Sequence, residues 1–131
     1  MPYRWIEHTG ELEVELEGST ERDLFEAGFD AMRELIADGE GAQRLEIPVK
    51  LEGRDRAALL ADWLAELAFL AETRALVPDR LFTLDLEEDG LRAMVQGWEG
   101  APQHLVKGAT HHRLCFERTD AGWRARVVLD V

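Results

Sequence analysis

Apolar and polar residues alternate with period two near both ends of the chain. Leu12, Val14 and Leu16 interleave with Glu11, Glu13, Glu15 and Glu17. This is the pattern of a half-exposed antiparallel strand whose glutamates face solvent. Trp123, Ala125, Val127 and Leu129 fall on one face of a last strand that runs to Val131, and its β-branched residues suit a pleated surface. Tyr3 to His8 reads as a short first strand before the His8-Thr9-Gly10 break.

Two stretches switch to helical spacing. Ser19-Thr20, with Glu21 and Asp23 in the first turn, starts a helix. Its apolar stripe is Leu24, Phe25, Ala27, Gly28, Ala31, Met32, Leu35 and Ile36, and it stops near Asp38-Gly39. Asp55 caps a second helix. Leu59, Leu60, Trp63, Leu64, Leu67, Ala68 and Leu70 make it the most apolar of the chain, and it ends by Glu72-Thr73.

Leu45, Ile47, Val49 and Leu51 predict a strand that tolerates Pro48 only near an edge or bulge. Asp89-Gly90 separates two alternating runs, residues 81–86 and 91–97, as a hairpin turn does. Leu114 to Glu117 and Trp123 to Leu129 form a closing hairpin around Asp120-Ala121-Gly122, while 106–112 reads as weakly structured. These elements predict a single α+β domain over residues 1–131, a two-layer, mostly antiparallel sheet with two helices packed on one face.

Composition narrows the function. The chain has 131 residues, 46% of them hydrophobic, with no run long enough to span a membrane and no secretory h-region. Its one cysteine, Cys115, excludes an internal disulfide framework and is expected as a buried small hydrophobe, and the chain reads as cytoplasmic. A net charge of −12, from 15 Lys+Arg against 27 Asp+Glu, opposes direct, tight nucleic-acid binding. It suits cations or a basic protein partner.

Several residues invite chemistry. No phosphate loop, nucleophile elbow or His-Glu-x-x-His helix is present. His111-His112, with His104 nearby, suggests a metal, but neighbours in a strand point to opposite faces. One of the pair is therefore expected to be buried and the other exposed. Lys107 sits in the least acidic segment and can hold a phosphate as a point charge, or simply be solvated. Glu11 follows a glycine turn. If its strand lies beside the last one, Glu11 approaches Asp130 and the terminal carboxylate of Val131, three oxygen groups suited to a hard divalent cation.

The order and spacing of Trp5-Ile6-Glu7-His8-Thr9-Gly10-Glu11, Leu59-Leu60-Ala61-Asp62-Trp63-Leu64, Val106-Lys107-Gly108-Ala109-Thr110-His111-His112 and Gly122 through Val131 resemble the archease family over essentially the whole chain. The resemblance implies an accessory protein, not a free-standing enzyme. Archeases activate the RtcB-type RNA ligase, which joins tRNA halves with GTP and a divalent metal, by promoting its guanylylation and turnover. The family's His-Thr-Ala-Asp motif maps onto His8 to Glu11 and its C-terminal pair onto Asp130 and Val131. This implies a calcium, magnesium or manganese site at Glu11, Asp130 and Val131. The family's lysine motif maps onto Lys107, with Thr110 and His112 in register, and these with His8 are the implied partner or phosphate contacts.

The chain departs from the family pattern at Gly10-Glu11, where the family has Ala-Asp, and at Gly108, Ala109 and His111. Two other classes fit the same residues: a small hydrolase or nucleotide-processing enzyme using His112, Lys107 and Glu11, or a calcium-binding structural module.

Overall fold

A computed structural model describes residues 2–37, 43–102 and 106–131. Among these described residues, seven strands and two helices follow one another as β1 (Tyr3–His8), β2 (Glu11–Gly18), α1 (Glu21–Ile36), β3 (Gln43–Glu52), α2 (Arg56–Arg74), β4 (Leu76–Glu87), β5 (Gly90–Glu99), β6 (Gly108–Thr119) and β7 (Gly122–Asp130). All pairings among them are antiparallel, and the fold class is α+β as the alternation predicts. The strands divide into two sheets. One has the order β1-β2-β7-β6, the other β3-β5-β4. Both helices pack against both sheets, α1 on β2 and β4, α2 on β6 and β4.

The helices form where their caps and apolar stripes dictate. Thr20 Oγ1 accepts from the Asp23 N–H at 3.2 Å, and Asp23 Oδ2 accepts in return from the Thr20 N–H at 3.1 Å. A reciprocal cap of this kind contributes about 1 kcal/mol. Asp55 Oδ1 accepts from the Ala58 N–H at 3.1 Å and starts α2. Buried residues occur on several sides of α2, because it lies between the sheets.

Trp63, fully buried, donates its indole N–H to Phe25 O at 3.0 Å, so its polar atom is satisfied inside the core. Gly28 lets the helices close on each other. A Cβ there would stand 2.9 Å from Leu64 Cδ2.

Two boundaries differ from the sequence expectation, and a third falls outside the described residues. β4 starts at Leu76, well before residue 81, because Pro78 and two register shifts break its alternation. β6 begins at Gly108 rather than near Leu114. The stop expected near Asp38-Gly39 lies outside the described residues, α1 itself ending at Ile36. Pro48 does sit in an edge strand, β3, where a missing N–H does least harm.

Candidate functional site

β7 lies between β2 and β6, which brings distant stretches of sequence to one end of the four-stranded sheet. Glu11 is directly opposite Asp130 on β7, and His8 on β1 is directly opposite Glu11. Gly108 on β6 is opposite Asp130 from the other side, and the Lys107 N–H donates to Asp130 O at 2.8 Å. Directly paired residues share a face, with Cβ atoms about 5 Å apart. Glu11, Asp130 and His8 therefore stand together on the face turned away from the helices. Val131 follows at the strand end, 45% exposed.

The same face carries a buried charge. Glu13, expected to be solvated like its neighbours in the alternating run, is only 2% exposed. Arg113 Nη2 lies 2.7 Å from Glu13 Oε1 and His8 Nε2 lies 3.4 Å from it. The buried carboxylate is thus paired by two cationic or potentially cationic side chains, one from β1 and one from β6.

Arg113 reaches Glu13 by a break in β6. Thr110 pairs with Val128 and Cys115 with Arg126, so His111 to Leu114 together oppose Val127 alone. Arg113 takes a left-handed backbone with φ 59°, and its carbonyl accepts from Arg126 Nε at 2.9 Å. A non-glycine residue held there costs on the order of 1 kcal/mol. Thr110 Oγ1 accepts from the His112 N–H at 3.2 Å, which turns the chain into the bulge.

This bulge corrects two expectations. His111 and His112 are both exposed, because neither sits in a regular pleat. Cys115 is half-buried instead of buried, pairing with Arg126 where the regular ladder resumes. His104 lies outside the described residues.

Lys107 is exposed and lines a separate groove against α2, with Leu51, Asp62, Glu66, Phe69 and Val106. Neither Glu11 nor His112 lines it. The three groups of the hydrolase reading thus do not share this cavity.

The donor set fits a hard cation only in part by side chains alone. Glu11 and Asp130 offer two carboxylates on adjacent strands, but no three His, Cys, Asp or Glu side chains among the described residues gather tightly enough to hold an ion. A third oxygen must come from the main-chain terminus at Val131 or from a side chain that moves. Glu13 and Arg113 are the residues that sequence reasoning missed: a glutamate in an alternating run looks solvated, and nothing local predicts the bulge.

The chain matches the model of the Archease protein family over residues 3–131. It is 33% identical to protein archease of Archaeoglobus fulgidus, with 100% of each chain covered, and 32% identical to protein archease of Methanosarcina mazei, with 98% of this chain and 95% of that one covered. Among solved structures it is similar to protein 1598 of Methanobacterium thermoautotrophicum, with a TM-score of 0.70, 26% identity and 99% of both chains covered. An archease, possible chaperone, from Thermotoga maritima shares the fold with a TM-score of 0.69 at 22% identity, covering 96% of this chain and 94% of that one. With its two helices, its antiparallel strands and a match along nearly its full length, the chain belongs to the archease family.

Proposed function

We propose that this protein is an accessory protein that activates an RtcB-type RNA ligase, and that Glu11, Asp130 and the Val131 carboxylate form a surface cup for a divalent cation. The observation that carries this reading is the in-register pairing of Glu11 with Asp130, flanked by His8 and Gly108. It gathers three of the four stretches that resemble family motifs at one end of one sheet.

A hard divalent cation held there would supply positive charge beside the ligase's nucleotide site, where the transferring phosphoryl oxygens need it. Calcium, magnesium and manganese all accept such oxygen donors. Glu11 and Asp130 present carboxylates, and the Lys107–Asp130 main-chain bond keeps the end of β7 in place. Lys107, Thr110, His112 and His8 would supply contacts to partner or phosphate, Lys107 from the groove against α2. The acidic body, with its net charge of −12, leaves RNA binding to the ligase.

Guanylylation of a partner ligase, followed with and without this protein across calcium, magnesium and manganese, tests the reading. The wild-type chain should accelerate it, and folded Glu11→Ala and Asp130→Ala variants should lose about tenfold or more of that stimulation. Normal stimulation by both variants removes the cup from activation. Turnover of a nucleotide by the protein alone would favour an enzyme instead.

A further inference from the structure

Three aromatic rings at the surface carry an arginine of the chain itself. Arg44 stands 4.5 Å over Trp98, Arg80 5.4 Å over Phe82 and Arg118 5.9 Å over Trp123. Phe69 on α2 is different. It is 56% exposed, the most exposed large apolar side chain among the described residues, and no arginine or lysine among them lies over its ring. Its neighbours are carboxylates. Asp62, Glu66, Phe69 and Glu72 follow helical spacing along one stripe of α2. None of these three acids joins an ion pair among the described residues, although ten such pairs form elsewhere there. The stripe lines a groove of about 380 Å³ together with the aliphatic side chains of Leu51, Ala65 and Val106. Lys107 also lines it, a single cation against three carboxylates.

We infer that this groove takes an arginine-bearing segment of the partner protein. One guanidinium lies on the Phe69 ring and pairs with Glu66 or Glu72, and an aliphatic neighbour packs on Leu51, Ala65 and Val106. That the partner is the ligase rests on the reading above. Charge complementarity selects the occupant. Carboxylates beside an aromatic face attract a cation by ion pairing and by cation–π attraction together. They repel a phosphate backbone, and a second copy of this chain, with its net charge of −12, is repelled as well. Arginine fits better than lysine, because a planar guanidinium stacks on the ring while its edge bonds a carboxylate. Through the main-chain bond from Lys107 to Asp130 the groove adjoins the Glu11–Asp130 end of the sheet. A segment seated here tethers the partner beside that end without touching it, so the groove sets affinity while the cup acts on the bound ligase.

Titration of a partner ligase with the full chain, read both as guanylylation and as direct binding, tests this. Phe69→Ala and Glu72→Lys should raise the concentration for half-maximal stimulation about tenfold and leave the maximum unchanged. Glu26→Lys makes the same charge reversal on α1, outside the groove, and should shift it about twofold or less. Equal shifts from Glu72→Lys and Glu26→Lys would reduce the effect to net charge and overturn the inference. So would a wild-type midpoint in Phe69→Ala. A ligase that binds without being stimulated sinks the activator reading alone, and the dissociation constants of the same variants then judge the groove. If the ligase does not bind at all, it is removed as the occupant, and a short peptide alternating arginine and leucine decides on the groove. It should move the Phe69 ring NMR signals of the wild-type and Glu26→Lys chains but not those of Glu72→Lys. Ring signals that stay in place in the wild-type chain overturn the inference.

Discussion

The two sheets of this protein treat their charges differently. In the three-stranded sheet the central strand comes close to its neighbours through glycine. A Cβ at Gly97 would lie 2.2 Å from Val77 O, and one at Gly90 would lie 2.3 Å from Leu51 O. Its ion pairs, such as Arg92–Glu87 and Arg44–Asp79, stay at the surface, with Arg92 and Glu87 exposed by 60% and 49%. The four-stranded sheet makes a glycine approach of the same kind, a Cβ at Gly122 lying 2.4 Å from Gly18 O, and also spans its width with a buried carboxylate, Glu13 on β2, reached from β1 by His8 and from β6 by Arg113. A sheet that only needs to pack can solve its contacts with backbone and leave charges to water. The sheet that carries the candidate site keeps a charge inside, at a cost that packing alone gives no reason to bear.

The sharpest way to break this contrast is steric. Gly97→Ala should destabilise the fold by roughly 3 kcal/mol in a urea melt, because the obstructing atom is a backbone oxygen that cannot step aside. Next comes the charge. Arg113→Met should cost about 2 kcal/mol, less than the ~3–5 kcal/mol of a fully enclosed pair because the Arg113 side chain is 42% exposed. The matching change in the other sheet, Arg92→Met, should stay within about 0.5 kcal/mol. Equal losses from the two arginine variants would erase the distinction between the sheets.

The smallest effect concerns Tyr3. Burial first, and then the bond its hydroxyl donates to Glu34 Oε2 at 2.5 Å, push the Tyr3 hydroxyl up to about 12. A raised value in the folded chain means stability that is complete below the unfolded tyrosine range, near pH 10, and is lost as pH climbs toward 12. Thermal melts of Tyr3→Phe across that interval should lack this part of the alkaline decline. An unchanged decline would show that the hydroxyl is not the group responsible.

Much of this molecule was legible because period-two and helical spacing are local properties. The caps at Thr20 and Asp55 and the edge position of Pro48 follow from residue types within a few positions. The approach of Glu11 to Asp130 was legible only as a condition, that β2 lie beside β7, and the register meets it. What stayed hidden depends on distant chain. Glu13 reads as solvated until Arg113, a hundred residues away, is seen to cover it. The start of β4 escapes because Val77-Pro78-Asp79-Arg80 neither alternates nor pairs evenly. The early part of β6 escapes because no residue in His111-His112-Arg113 announces a left-handed turn.

The pairing of β2 with β7 has a consequence in time as well as in space. β4 and β5 are neighbours joined by a two-residue turn, so they meet cheaply, whereas β2 must find a strand more than a hundred residues downstream. Closing so long a loop slows assembly. Glu11 and Asp130 come face to face only once the two ends of the chain have met, and a half-assembled chain has no such pair to offer.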